Sequence, residues 1–411
     1  MMGWRDWFGL ETRGSVENPA IPVSSENFLA FFGVQSGNLP NVTIDSALAV
    51  PAVSAAVTFL SSSLANLPLH VYRANNEGSE RAGGPLQRIL NEAPNSEWTS
   101  FGLRKYLWTQ VFTGGRGMAW VERAGNQVVG IWPINPSNVT VKLENGKRIY
   151  TLDDKKTYAA ADIIDIPFLL KRDQLSSYSP IVMGAKAIQL ALAMNDYGSN
   201  FFAGGGVPPL SLSGPLPQGA EAMKRAMGDI NRAIEAAKAS DKPIFPMPPG
   251  HELKQVGFDP AKGQMVEARL FQIQEIARIY NIPPVFLQDL SRGTFANVEQ
   301  QDLHLIKHLI AQWAKAFEDE LNLKLFGAAR NKRYVEHSMD GLMRGDFASR
   351  MNGHAQAIQN ALRTPNEARA LENLPPKENG DNLYVQGATV PLGSNVDDAA
   401  GSEGDVDDTG N

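Results

Sequence analysis

The longest regular alternation of hydrophobic and polar positions lies between Asn297 and Phe326. Apolar residues recur there every three or four positions, the spacing of one helix face. They are Leu303, Ile306, Ile310, Trp313, Phe317, Leu321 and Leu325. We predict one helix of roughly 45 Å, at ~1.5 Å per residue, ended by Gly327. Such a helix needs a long partner surface for its apolar face.

The segment before this helix has a second helical pattern, from Lys262 to Asn281. Pro283 and Pro284 should end it, since proline lacks an N–H and restricts the residue before it. An exposed loop from Asp289 to Phe295 follows, with a glycine as a swivel. A loop held between two helices is well placed to project into a hole or cleft.

The rest of the chain predicts a mixed α+β protein, with strands separated by turn-forming residues. The further predicted helices are Ile44–Leu67, Pro85–Ala93, Thr99–Phe112, Ser179–Ala203, Gln218–Ala239, Phe347–Leu362 and Thr364–Leu374. The predicted strands are Leu69–Arg73, Met118–Arg123, Val128–Ile134, Val139–Leu143, Arg148–Leu152, Ile163–Pro167, Leu210–Leu212 and Tyr334–Ser338. Gly204–Gly206 should stop the helix before it, and a proline-rich hairpin is expected over Lys242–Val256.

Composition allows two or three domains, because 43% of the 411 residues are hydrophobic. The absence of cysteine excludes disulfides and thiolate zinc sites. The apolar stretch Ile181–Met194 is too short for a transmembrane span.

The net charge is −6, but Ser394–Asn411 holds six acids and no base. Removing them from 44 leaves 38 acids against 38 bases, so the body is formally neutral, which argues against a broad basic nucleic-acid face. The tail is either a disordered solvated end or a docking segment.

A search for catalytic and metal chemistry finds no complete motif. No phosphate-binding loop and no nucleophile elbow is present. Gly114–Gly117 is interpreted as a tight hairpin, and Glu318–Glu320 as a polar face. His304 and His308 have the spacing of two metal ligands but lack a third, so we favour a solvated or interface position. We therefore expect no enzyme activity, no metal and no cofactor.

Short motifs spread over about 330 residues together carry a family resemblance. They are Val53–Arg73, Pro85–Asn91, Pro94-Asn95, Ile131–Pro136, Ser179–Ile181, Glu275–Arg278, Ile282–Pro284, Asn297–Gln301, Thr364–Arg369, Leu374–Pro376 and Gly380-Asp381. In this order they resemble the portal proteins of tailed bacteriophages with HK97-like capsids. Three places depart from the family pattern: Arg116 and its neighbouring glycines, Asp165 where histidine is common, and Ser176–Tyr178 in place of a glycine-rich approach. We expect these departures to change only local turns.

The resemblance implies a portal fold assembled as a ring of twelve subunits around a DNA channel at one capsid vertex. The implied segments are a flexible arm (1–42), the wing (43–179 and 297–345), stem helices (180–203 and 259–284), a small α/β clip (204–258), a tunnel loop (285–296), a helical crown (346–376) and a disordered acidic tail (377–411). The implied partners are double-stranded DNA, the terminase large subunit, the major capsid protein, scaffold and a head–tail adaptor, without a membrane. The implied location is the virion, and the host cytoplasm during assembly.

Three groups of residues are candidates for these roles. The tunnel loop offers Asp289, Leu290, Arg292, Gly293, Thr294 and Phe295 to DNA, although Arg292 and Phe295 packing between subunits is an open alternative. Stem residues, for pairs between subunits or for lining the channel, are Glu267, Arg269, Glu275 and Arg278. The clip helix carries Lys224, Arg225, Arg232 and Glu235, either as a partner surface or as an ordinary solvated face.

Two other classes of protein remain as alternatives. A packaging nuclease or ATPase subunit would be an enzyme; the missing phosphate loop argues against an ATPase, and the missing acidic cluster argues more weakly against a nuclease. A ring-forming scaffold outside viruses would differ in context and not in physics.

Overall fold

The computed structural model describes residues 41–384, apart from residues 76–77, 154–155, 204–209, 214–220, 223, 227, 230–231, 233–251, 256–263, 288–300, 302–303, 329–331, 340–346 and 373. The chain divides into two compact units between Ser338 and Met339. Most of the predicted arm and acidic tail, the helix stop at Gly204–Gly206 and most of the proline-rich hairpin lie outside the described residues. None of the helices within these ranges is long and apolar enough to cross a bilayer.

The helices are α1 (Ile44–Leu48), α2 (Pro51–Asn66), α3 (Pro85–Asn91), α4 (Ser100–Thr113), α5 (Pro180–Met183), α6 (Ala185–Ala203), α7 (Gln264–Ile279), α8 (Ala311–Phe326), α9 (Phe347–Gln359) and α10 (Pro365–Leu371). The strands are β1 (Leu69–Asn75), β2 (Gly78–Arg81), β3 (Arg116–Ala124), β4 (Gln127–Ile134), β5 (Val139–Glu144), β6 (Lys147–Leu152), β7 (Thr157–Ala159), β8 (Ile163–Pro167), β9 (Leu169–Leu170), β10 (Ser177–Tyr178), β11 (Leu210–Ser213), β12 (Glu252–Gln255) and β13 (Arg333–His337). Three-residue or four-residue 3₁₀ turns cover Pro136–Asn138, Ala160–Asp162 and Pro284–Leu287, and a π-turn covers Ile306–Ile310.

The core of the first unit forms where α2 packs against α4 and where aromatic side chains of α8 meet α4. Trp108 of α4 is almost fully buried and meets two aromatic rings of α8 edge-on. Its ring centroid lies 5.8 Å from that of Trp313 and 5.7 Å from that of Phe317. Phe317 and Leu321 are themselves buried. The apolar stripe that the sequence predicted on the long helix is therefore the face that binds the rest of this unit.

Antiparallel sheets surround this helical core. Their strand orders are β13-β1-β2, β4-β3-β8 and β5-β6-β7, with two-stranded sheets β10-β9 and β11-β12. The predicted strand near Tyr334 is β13, which pairs with β1 although the two strands are far apart in the sequence. Val71 lies opposite Val335 in this pairing. Register places both valines on the buried face. This long-range pairing ties the end of α8 to the N-terminal strand.

Several predicted helices are interrupted. The helix predicted over Ile44–Leu67 divides at Pro51, because Val50 before it takes an extended conformation as N-cap. The helix predicted from Ser179 divides at Gly184, and the long helix contains the π-turn at Ile306–Ile310, so its described part is not one unbroken α-helix. Its predicted end at Gly327 is confirmed, with φ of 73°.

The interpretation of Gly114–Gly117 as a hairpin is wrong. Gly114 caps α4, and Gly115 turns the chain into β3 with φ of 87°. A Cβ on Gly115 would lie 2.2 Å from the carbonyl oxygen of Tyr178. The four residues therefore form a helix-to-strand junction in which a close backbone approach requires glycine.

The second unit contains α9 and α10. The predicted capping box at the start of α10 is confirmed: Thr364 Oγ1 accepts from the backbone N–H of Glu367 at 3.2 Å, and Glu367 Oε2 accepts from that of Thr364 at 2.8 Å. Asn366 donates to the carbonyl oxygen of Lys377 and to Asp381 Oδ1, both at 2.9 Å. Ordered structure therefore extends past the predicted tail boundary at residue 377.

Candidate assembly surface and its buried support

The two predicted stem helices, α6 and α7, pack against each other in antiparallel directions. Gly184 meets Ile279 at one end, where a Cβ would lie 2.2 Å from the isoleucine Cδ1. Further along, the side-chain amide of Gln272 donates to the backbone carbonyl of Ala187. At the other end, Arg269 Nη2 donates to Asn195 Oδ1 at 2.6 Å. Arg269, a candidate for contacts between subunits, thus joins the two helices within one chain.

The outward face of α7 combines an aromatic ring with charges. Phe271 is 48% exposed, on the side of the helix opposite the buried Ile276. The Arg278 guanidinium lies 5.9 Å from the centroid of the Phe271 ring. Arg278 also forms an ion pair with Glu275 on the same helix, and Glu267 is exposed one turn before Phe271. Aromatic and arginine side chains together are typical of the centres of protein interfaces.

An apolar groove of about 530 Å³ lies beside the helix pair, between α2, α6, α7 and the 3₁₀ turn at Pro284–Leu287. Phe59 of α2 stacks on Phe286 in its wall, with ring centroids 5.1 Å apart. Met194 and Ile273 also line it. The groove shows that apolar surface of the helix pair extends beyond the single exposed phenylalanine.

Three of the clip candidates are described and exposed, and two of these are paired with neighbours on their own segment. Arg225 Nη2 lies 3.2 Å from Glu221 Oε2, and Arg232 Nη2 lies 2.6 Å from Asp229 Oδ1. Lys224 is exposed, while Glu235 lies outside the described residues. Pairs this exposed contribute only ~0–1 kcal/mol each.

The tunnel loop, the sharpest prediction from the sequence, lies outside the described residues, so Asp289, Leu290, Arg292, Gly293, Thr294 and Phe295 remain predictions. The chain is described up to Leu287 and resumes at Gln301. The end of α7 is described and differs slightly from the expectation. The helix ends at Ile279, and Asn281 takes the left-handed conformation (φ of 55°) two residues before the first proline.

The sequence analysis did not identify a buried charge network between β3 and β8. Asp165 on β8 accepts two hydrogen bonds from Arg116 on β3, at 2.6 Å from Nε and 2.5 Å from Nη2. The Tyr150 hydroxyl donates to the same carboxylate at 2.7 Å, and Arg116 Nη1 reaches the carbonyl of Leu175. The Arg116 and Asp165 side chains are only 9% and 3% exposed.

The three departures from the family pattern therefore meet at one place. Arg116 binds Asp165 directly, and Gly115 lies against the backbone of Tyr178. These departures therefore involve the interior as well as local turns, because Arg116 and Asp165 form a buried ion pair. A sequence signal for this was available: an arginine and an aspartate departing from the pattern at buried strand positions.

This environment raises the pKa values of both Arg116 and Tyr150, for different reasons. Burial lowers the pKa of Arg116, but the hydrogen bonds and charge of Asp165 outweigh it, so the net shift is upward. Burial, followed by the charge of Asp165, raises the pKa of Tyr150. Arg116 is therefore a permanent cation and Tyr150 a neutral donor at any pH the protein meets.

Glu318 and Glu320 lie in the interior, so the interpretation of Glu318–Glu320 as a polar face is wrong for both. Glu318 Oε1 accepts from the backbone N–H of His337 at 2.8 Å and lies 2.9 Å from its Nδ1. Glu320 Oε1 accepts from the backbone N–H of Asp165 at 2.9 Å. Both carboxylates satisfy backbone N–H groups of strands that lie against α8, a role that only tertiary contacts reveal.

His304 and His308 lie next to each other, with ring centroids 4.5 Å apart and ring planes tilted by 44°, and both are exposed. Within the described ranges no group of three or more metal-ligating side chains comes together.

Comparison with known proteins agrees with the resemblance seen in the sequence. Residues 51–373 match the family model described as phage portal protein. The chain is 28% identical over 381 residues to the portal protein of Enterobacteria phage HK97, covering 90% of this chain and 88% of that protein.

Two solved structures share the fold. A crystal structure of an HK97 family phage portal protein from Corynebacterium diphtheriae has a TM-score of 0.55 at 16% identity, covering 74% of this chain and 98% of that one. The neck of a native gene transfer agent particle, computed with C12 symmetry, has a TM-score of 0.52 at 16% identity, covering 81% and 93%.

Proposed function

Because the chain belongs to the phage portal protein family, we propose that twelve copies form a closed ring at one vertex of a tailed-phage capsid. The subunit number follows the twelvefold symmetry of the gene transfer agent neck that shares its fold. The ring forms the channel through which DNA is packaged and later ejected. The mechanism is one of geometry and electrostatics, with no bond made or broken by the protein.

The observation that carries the ring is the outward face of α7. A half-exposed phenylalanine beside an arginine gains stability when a second copy of the chain covers it. Burying the exposed half of Phe271 contributes about 1 kcal/mol, from the ~1.5–3 kcal/mol of a full side chain. One such contact at every interface of a closed ring stabilises the whole assembly.

The stem charges take supporting roles in this proposal. Glu275 and Arg278 orient each other on α7, and Arg269 holds α6 in place. Glu267 is exposed on the same face and is the residue we assign to the neighbouring copy. A neutral body with few fixed cations on the channel wall would let duplex DNA slide rather than stall, since DNA carries one negative charge per ~1.7 Å.

The tunnel loop is proposed to contact DNA, with Arg292 touching phosphate and Gly293 allowing each copy to follow the groove. Packing of Arg292 and Phe295 between subunits is the alternative. Replacing Gly293 with Val stiffens the loop in either case. Less packaged DNA per particle, with normal ring assembly, would support the DNA contact, and unchanged packaging would contradict it.

The exposed clip segment around Lys224, Arg225 and Arg232 is proposed as the docking surface for the terminase large subunit and later for a head–tail adaptor. The major capsid protein and scaffold are the proposed partners of the wing, in the host cytoplasm during assembly and in the virion afterwards. Charge-reversed Lys224 and Arg225 should weaken terminase binding in a pull-down while ring mass stays unchanged; undiminished binding would refute this assignment.

The ring is tested by native mass spectrometry with negative-stain images of the same samples. The variant is Phe271→Ser. The matched control is Phe101→Ser on α4, which is 43% exposed and lies 5.9 Å beneath Lys105. We expect closed rings from the unchanged chain and the control, and mainly smaller species from the variant. Rings of undiminished yield from Phe271→Ser would show that α7 does not carry the interface.

The alternative of a packaging nuclease or ATPase subunit predicts ATP hydrolysis or DNA cleavage by the purified chain alone. The same preparations should be assayed for both. Turnover that increases with protein concentration and survives further purification would revive the enzyme hypothesis.

A further inference from the structure

A second surface, unrelated to the helix pair, has a strongly one-sided charge. A groove of about 1230 Å³ lies where β1 and β13 leave the core, beside the end of α8. None of the described residues that line it is acidic. Its cationic residues are Arg73, Arg123, Lys324, Lys332 and Arg333. Such a surplus of positive charge requires either structural partners for these side chains or an anionic ligand.

Two of these cations have structural partners. Arg123 Nε lies 3.0 Å from Asp162 Oδ1, and its Nη2 donates to the carbonyl of Lys324 at 2.6 Å, at the negative end of the α8 dipole. Lys324 Nζ lies 3.3 Å from Glu320 Oε1 and 2.7 Å from the carbonyl of Ala160. These side chains hold the helix end in place.

The other three cations lack such partners. In the part of the chain that the structure describes, no carboxylate pairs with Arg73, Lys332 or Arg333. Glu80 lies opposite Arg73 on β2, but its carboxylate accepts from the side chain of Asn75 at 3.3 Å. All three cations are exposed at the rim of the groove.

Strand register makes this arrangement unfavourable for an empty groove. Arg73 and Arg333 stand directly opposite each other on β1 and β13. They follow the buried pair Val71 and Val335 on the same face of the sheet, because side chains alternate along a strand. Like charges directly opposite on neighbouring strands destabilise a sheet. An anion lying between the two guanidinium groups would turn this repulsion into attraction.

We propose that this groove binds an acidic peptide segment of a partner protein. Apolar side chains complete its lining beside the basic rim, among them Leu86, Val128, Leu325 and Phe326. A peptide with both carboxylates and apolar side chains fits both parts of the lining. Duplex DNA would reach the rim with its phosphates but would leave the apolar part uncovered. The proposal does not depend on ring assembly.

The test uses fluorescence anisotropy with a short labelled peptide that contains Asp, Glu and Leu, added to the full-length protein. The variant is Arg73→Glu with Arg333→Glu. The matched control is Lys142→Glu with Lys147→Glu, two exposed cations on β5 and β6 that change the net charge equally. A second variant, Arg73→Gln with Arg333→Gln, removes the charges if reversal disturbs folding, which circular dichroism monitors.

We expect both groove variants to weaken peptide binding about tenfold, which corresponds to ~1.4 kcal/mol for the two charge contacts together, with little change in the control. A control peptide in which Gln replaces Glu and Asn replaces Asp should bind only weakly to the wild-type protein. Equal losses in variant and control would overturn the proposal in favour of non-specific attraction. Binding of a short duplex DNA that depends on Arg73 and Arg333, without peptide binding, would overturn it in favour of nucleic acid. Ring mass measured in parallel separates either outcome from failure of assembly.

Discussion

The buried ion pair between Arg116 and Asp165 gives the sharpest prediction about stability. Replacing Asp165 with Ala leaves the Arg116 cation buried without its partner and removes the acceptor of the Tyr150 hydroxyl. Breaking a buried pair in this way costs about 3–5 kcal/mol. That is a large part of the ~5–15 kcal/mol by which a domain is stable. At about 2–3 °C per kcal/mol, the melting temperature should fall by roughly 6–15 °C.

A double-mutant cycle separates the pair from its surroundings. Arg116→Met alone should cost about as much as Asp165→Ala, because it leaves the carboxylate buried and uncompensated. The double variant removes both charges and should cost less than the sum by at least about 2 kcal/mol. Asp162→Ala is the control, since it breaks the Arg123–Asp162 pair, whose side chains are 21% and 37% exposed, and should cost only ~0–1 kcal/mol.

The assay is urea unfolding of each purified variant, followed by near-ultraviolet circular dichroism, which reports the aromatic core around Trp108. A loss below about 1 kcal/mol for Asp165→Ala would refute the reasoning. So would a double variant whose cost equals the sum of the single ones, because additivity would mean that the two side chains do not interact.

Two further predictions test the helix-to-strand junction and a buried histidine. Gly115→Ala should prevent normal folding, because its Cβ would lie 2.2 Å from a backbone oxygen. The control Gly125→Ala is also at positive φ but has open space around it, so it should cost only ~1 kcal/mol. Similar melting temperatures for the two variants would contradict this prediction. Burial lowers the pKa of His337 below its ordinary 6.5 despite the hydrogen bond to Glu318, so the unfolded chain binds a proton that the folded one excludes. The free energy of unfolding should therefore not depend on His337 titration above about pH 6.5, and it should fall by up to ~1.4 kcal/mol per pH unit below that pH. The same pH dependence of unfolding in His337→Asn would count against this assignment.

The sequence by itself determined most local structure in this chain. The end of α8 at Gly327, the capping box at Thr364 and the strand at Ile163–Pro167 all appear as predicted. These features depend on neighbours within one turn or on a period of two residues, so the local sequence contains all the information they need. The spaced motifs also identified the family, because their order along the chain does not depend on contacts.

Tertiary structure decided which charged residues are surface and which are core. Glu318, Glu320 and Asp165 resemble ordinary solvated acids in sequence, yet each is buried or partly buried and accepts a hydrogen bond from a distant part of the chain. Their partners lie between 19 and 155 residues away along the chain. Helix periodicity shows which face of α8 is apolar, but it contains no information about which strand end will lie against a given carboxylate.

The same limit explains the basic groove. Arg73 and Arg333 end two strands that are far apart in the chain, and each is unremarkable in its own segment. Only the pairing of β1 with β13 brings them face to face, because register depends on the buried valines beside them. Local sequence thus determined the helices, the strands and the family. Long-range packing determined where charge is concentrated, because the interaction between charges depends on their distance in space and not along the chain.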